Sequence, residues 1–104
     1  MSEAFIKIGT LDDIPPGSMK KVQVKGEDVL VAKLSDKVYA LADTCTHRGC
    51  SLSEGEIEGT EVICPCHGGR FDLTTGKVIA APPKKNVASY DVQVKDTNVL
   101  VKKR

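Results

Sequence analysis

The chain has 104 residues, enough for one compact domain with a modest core. Fifteen Lys and Arg stand against 14 Asp and Glu, and a formal net charge of +1 supplies no field for DNA, RNA or an anionic membrane surface. Hydrophobic residues at 40% exclude a disordered chain, while aromatics at 4% and the lack of Trp leave the core to Val, Ile and Leu, which favour strands.

In chain order, Ala4–Ile8 reads as a short strand, followed by a loop stiffened by Pro15 and Pro16. Met19–Val24 alternates, with Val22 and Val24 on one face. Lys25-Gly26-Glu27-Asp28 then forms a turn, and Val29–Lys33 is the returning arm of a hairpin. Ser35-Asp36 marks the next turn before a strand at Val38–Ala42. From Asp43 to Pro83 the pattern changes to Gly, Pro, Cys and polar residues, broken only by short apolar pieces such as Val62–Ile63 and Val78–Ile79. Alternation resumes at Tyr90–Val94, and a turn at Asp96-Thr97-Asn98 leads into Val99–Val101. No segment carries a 3.6-residue period, so the fold class is all-β. The expectation is a single domain over 1–104 whose antiparallel base carries a loop-rich subdomain at about 43–83.

No apolar run reaches the roughly 20 residues that span a bilayer, and Met1–Phe5 lacks the basic and apolar regions of a secretory signal. A cytoplasmic location without a membrane anchor is the expectation. The short basic runs Lys84-Lys85 and Lys102-Lys103-Arg104 read as solvated charge.

All four Cys and both His lie between positions 45 and 67. They form two boxes, Cys45-Thr46-His47-Arg48-Gly49-Cys50 and Cys64-Pro65-Cys66-His67-Gly68, and each offers one thiolate and one imidazole from a Gly-containing turn. Buried, unligated thiols beside turn histidines would not call for this matched pairing. A zinc ion also accepts two Cys and two His, but zinc fingers pair Cys with Cys and His with His. Boxes that mix the two better suit a diiron cluster in which two His replace two Cys on one iron.

With sixteen residues (48–63) between His47 and Cys64, the boxes closely resemble those of the Rieske iron–sulfur proteins. The likeness extends through Leu52-Ser53-Glu54-Gly55, Gly68-Gly69-Arg70-Phe71-Asp72, Thr75-Gly76-Lys77-Val78 and Ala81-Pro82-Pro83. It implies a Rieske-like β-sandwich or barrel base and one [2Fe–2S] cluster per chain. Cys45 and Cys64 would hold the inner iron, and His47 and His67 the outer one. It also implies a Cys50–Cys66 disulfide joining the cluster loops, although a reducing cytosol normally keeps thiols reduced. The Pro82-Pro83 loop would cover the cluster from a third side. Leu52 and Ile63 are expected to pack beneath the loops, Phe71 in the core, and Arg70 on the solvated surface.

The functional expectation is a soluble, monomeric one-electron carrier serving a reductase, a terminal oxygenase or another redox enzyme. It is not itself an enzyme: once the cluster is built, no His remains for the mononuclear iron of an oxygenase. A redox sensor would use the same ligands. Replacing two thiolates by neutral imidazoles makes an added electron easier to accept, which places Rieske potentials at roughly −150 to +300 mV. Gly69 and Phe71 stand where the high-potential respiratory members have Ser and Tyr hydroxyls, so a value in the lower half of that range is expected.

Overall fold

The computed structural model describes residues 5–34, 37–45, 49–66, 68–80 and 85–103. Strands form at both ends of the chain where Val alternates with polar residues. They are β1 (Ile6–Thr10), β2 (Met19–Val24), β3 (Glu27–Leu34), β4 (Lys37–Ala42), β9 (Ser89–Lys95) and β10 (Asn98–Lys103). These pair in the order β1-β10-β9-β4-β3-β2, all antiparallel, and the outer strands β1 and β2 approach each other so that the sheet nearly closes. The base is thus the antiparallel barrel that the sequence implies.

Two turns are tighter than the residue types suggest. Lys25 and Gly26 both take positive φ (52° and 81°), and Val24 pairs directly with Glu27, so Glu27 and Asp28 belong to β3 rather than to the turn. Two positive φ values in a two-residue connection match the right-handed twist of the flanking strands. Likewise Asn98 already pairs with Lys95, leaving Asp96 and Thr97 as the turn. Ala4 and the expected Ser35-Asp36 turn lie outside the described residues.

The middle of the chain is more regular than a loop-rich insertion. It forms a second antiparallel sheet, β5 (Glu56–Glu58), β6 (Glu61–Ile63), β7 (Arg70–Asp72) and β8 (Val78–Ala80), entered through a 3-10 turn at Leu52–Glu54. A three-residue strand shows at most one full alternation, too little to be read from sequence.

β3 explains how the two sheets are joined. Val29, Leu30, Val31 and Ala32 are all fully buried, so both faces of this strand are covered. Val29 and Val31 pack inside the barrel with Val24, Ala40, Tyr90, Val99 and Val101. Leu30 and Ala32 face the other way, into a separate cluster with Leu41, Leu52, Val62, Phe71, Cys45 and Cys64. β3 and its neighbour β4 therefore form a common wall. The barrel is on one side, and the second sheet with its two buried cysteines is on the other.

Candidate metal centre

Each box is a loop between strands. The first leaves β4 and returns through a bridge between Thr44 and Ser51. The second is the connection from β6 to β7.

The described backbone of the two loops is closed in the same way. Cys45 N–H donates to the Cys50 carbonyl at 2.8 Å, and Gly49 N–H to the Cys45 carbonyl at 2.9 Å. Cys64 N–H donates to the Gly69 carbonyl at 2.7 Å, and Gly68 N–H to the Cys64 carbonyl at 3.1 Å. Gly49 and Gly68, each four residues after its cysteine, have φ of 76° and 74°, a conformation that a Cβ would strain. Two different sequences thus make one six-residue turn that opens on a cysteine. Cys45 and Cys64 are 2% and 3% exposed, and neither is in a disulfide. His47, His67 and Arg48 lie outside the described residues, as do Pro82 and Pro83.

Cys50, at the end of the first loop, is bonded to the exposed Cys66 in the second, their Cα atoms 6.5 Å apart. The sulfurs of Cys50, Cys64 and Cys66 lie within 4.8 Å of one another. Because two of these are bonded to each other, Cys64 is the metal ligand that this group can offer. The donor set of the described residues fits the implied cluster: two buried thiols, one at the head of each matched turn, in a region held by a covalent tie.

The tie closes a segment of 16 residues, for which chain entropy allows at most about 3 kcal/mol. Strand pairing already restrains both ends of the segment. Reduction of the bond should therefore cost only about 1–2 kcal/mol, lowering the thermal midpoint by roughly 5–10 °C. Calorimetry with and without a phosphine reductant measures this, and an unchanged midpoint would show that the bond bears no load.

Two further residues set the loop positions, and the sequence reading missed both. Asp43, 1% exposed, accepts hydrogen bonds from the Ser51 hydroxyl and from Ser53 N–H (2.7 Å), so its side chain spans the two ends of the first loop. Gly55 ends the 3-10 turn against β6, where a Cβ would fall on the Ile63 carbonyl oxygen with Pro65 Cδ 3.2 Å away. That close approach holds the exit of the first loop against the start of the second. Gly55→Ala should destabilise by about 1–3 kcal/mol, the range for a side chain forced into filled space. Urea unfolding checks this, and a loss below about 0.5 kcal/mol would mean that the backbone yields there. The only sequence signal for Asp43 was an acidic residue just before a cysteine box, with Ser-x-Ser beyond it.

Leu52 and Phe71 are fully buried, as expected. Ile63 differs: alternation along β6 sends Val62 inward opposite Phe71, while Ile63 is half-buried and lines a groove of about 360 Å³ with Glu54, Glu56, Cys64 and Pro65. Arg70 lies at the surface, with intramolecular partners that the residue types alone do not reveal. It is paired with Glu58 at 2.9 Å and Glu61 at 3.2 Å, and hydrogen bonds to these two carboxylates raise its pKa above the ordinary guanidinium value.

The family model for the Rieske [2Fe-2S] domain matches residues 4–91. The ferredoxin component of the naphthalene 1,2-dioxygenase/salicylate 5-hydroxylase systems of a Ralstonia species is 36% identical, over 98% of each chain. Among solved structures, the ferredoxin of carbazole 1,9a-dioxygenase from Nocardioides aromaticivorans superposes with a TM-score of 0.92 at 37% identity, covering 95% of this chain and 97% of that one. A chain from the complex of reduced oxygenase and oxidized ferredoxin in carbazole 1,9a-dioxygenase superposes with a TM-score of 0.89 at 35% identity, covering 96% and 94%.

Proposed function

The chain belongs to the Rieske [2Fe-2S] domain family, and on that premise we propose that it is a single-domain, monomeric carrier of one electron at a time between a reductase and the terminal oxygenase of an aromatic-ring dioxygenase or a related redox enzyme. The observation that carries this reading is the pair of matched turns, each opening on a buried cysteine. Family membership sets aside the zinc alternative.

Cys45 and Cys64 would hold one iron of the cluster, and His47 and His67 the other. When bound, the cluster supplies a reversible one-electron couple. The protein supplies two buried thiols and two turns closed by the N–H groups of Cys45, Gly49, Cys64 and Gly68, so little needs to move when charge changes. That rigidity suits a carrier, because small rearrangement on reduction favours fast transfer. The two buried cysteines pack against residues of β3 and β4. A protein of this kind transforms no substrate, as the ferredoxin names of its relatives agree.

The relatives work beside an oxygenase, and the chain of the carbazole complex, with a fold like this one, is part of an assembly with it. A cytoplasmic site of action fits that role, and no helix among the described residues is long and apolar enough to cross a membrane.

The test is anaerobic stopped-flow mixing of the reduced protein with the oxidised oxygenase component of an aromatic-ring dioxygenase. The visible spectrum should return to the oxidised form with one electron lost per chain. A reduced spectrum that persists in the presence of several such oxygenases would contradict the reading. Redox titration should place the midpoint in the lower half of the Rieske range, because Gly69 and Phe71 carry no hydroxyl to stabilise the added charge. A midpoint above about +200 mV would contradict that assignment.

A further inference from the structure

Asp43 is the one charged residue among the buried side chains of the described residues. Its four polar attachments all serve the base of the first cluster loop. The backbone N–H donates to the Asp28 carbonyl at 3.0 Å, which fixes the residue to the start of β3. Its carbonyl accepts from Leu52 N–H at 2.7 Å. One carboxylate oxygen accepts from Ser53 N–H and the other from the Ser51 hydroxyl, which itself lies 3.0 Å from the Ser53 hydroxyl. Segments 43–44 and 51–53 are thereby locked side by side, and Cys45 leaves from a fixed point. Each carboxylate oxygen takes one of the two donors, whereas an amide would offer a single acceptor oxygen.

We propose that Asp43 is a positioning residue for the cluster, fastening the frame of the first loop through Ser51 and Ser53 so that Cys45 is presented from a fixed point. This rests on the cluster assignment above.

Iron release from the holoprotein to a chelator, followed by cluster absorbance beside far-ultraviolet circular dichroism, tests it in wild type, Asp43→Ala and Ser51→Ala. Both variants should stay folded and lose iron several-fold faster than wild type. If Asp43→Ala does not hold the cluster, Ser51→Ala, which retains the carboxylate and its bond from Ser53 N–H, decides. Loss at the wild-type rate in Ser51→Ala overturns the proposal. Wild-type protein that contains no iron or sulfide would sink the cluster assignment itself, an outcome distinct from these.

Discussion

Cys64→Ala should yield a colourless protein, with iron and sulfide near zero, that is nonetheless folded. Cys64 is 3% exposed at the head of the second turn, where no water can stand in for its sulfur. Without its thiolate, the iron that Cys45 and Cys64 are proposed to hold would have one protein ligand instead of two. Cys66 cannot substitute while it is bonded to Cys50. The fold should persist because the barrel has its own core, in which Val29, Val31, Val99 and Val101 pack on the far side of β3 from the cysteines. Removal of one sulfur from the second core is a small excision by comparison. Iron and sulfide assays together with far-ultraviolet circular dichroism measure both halves of this expectation. A red-brown variant with two irons per chain would place the cluster elsewhere.

Phe71→Ala should give the largest loss of stability of any single substitution considered. Phe71 is fully buried on β7, opposite Val62, and belongs to the core that includes Leu30, Leu41 and Leu52. That core joins the second sheet to the barrel wall. Truncation removes most of a large side chain and leaves a cavity that short strands cannot close without losing their pairing. The expected cost is about 3–5 kcal/mol, against a total stability on the order of 5–15 kcal/mol for a domain. Denaturant unfolding of the holoprotein reports it, and cluster absorbance should disappear at a lower denaturant concentration than in wild type. A cost below about 1.5 kcal/mol would mean that the joint is carried by other residues.

The barrel was legible because its strands are long enough to repeat. Val22 with Val24, and Tyr90-Asp91-Val92-Gln93-Val94, show the two-residue period directly. The second sheet was not legible, since Arg70-Phe71-Asp72 or Val78-Ile79-Ala80 in isolation resembles any polar or apolar triplet. Its pairing is decided by contacts across the fold, such as Val62 with Phe71. The continuous burial of Val29 to Ala32 is the trace in the sequence of a strand covered on both faces, but a short apolar run does not say what covers it.

At the site, the four proposed ligands and the disulfide came from box spacing and from the family resemblance. The devices that set the loops were out of reach. Asp43 acts on residues eight and ten positions away, and Gly55 is required by the carbonyl of Ile63, not by its own φ. The pairing of Arg70 was out of reach for the same reason: Glu58 and Glu61 become its partners only once β5, β6 and β7 lie side by side.

The account rests on two matched turns that present unequal ligands to two irons. Electron paramagnetic resonance of the dithionite-reduced protein tests it most directly. Histidine on one iron and cysteine on the other should give a rhombic spectrum whose average g lies below that of an all-thiolate [2Fe–2S] cluster, with two irons and two sulfides per chain. An all-thiolate spectrum, or a silent, colourless protein containing zinc, would contradict it.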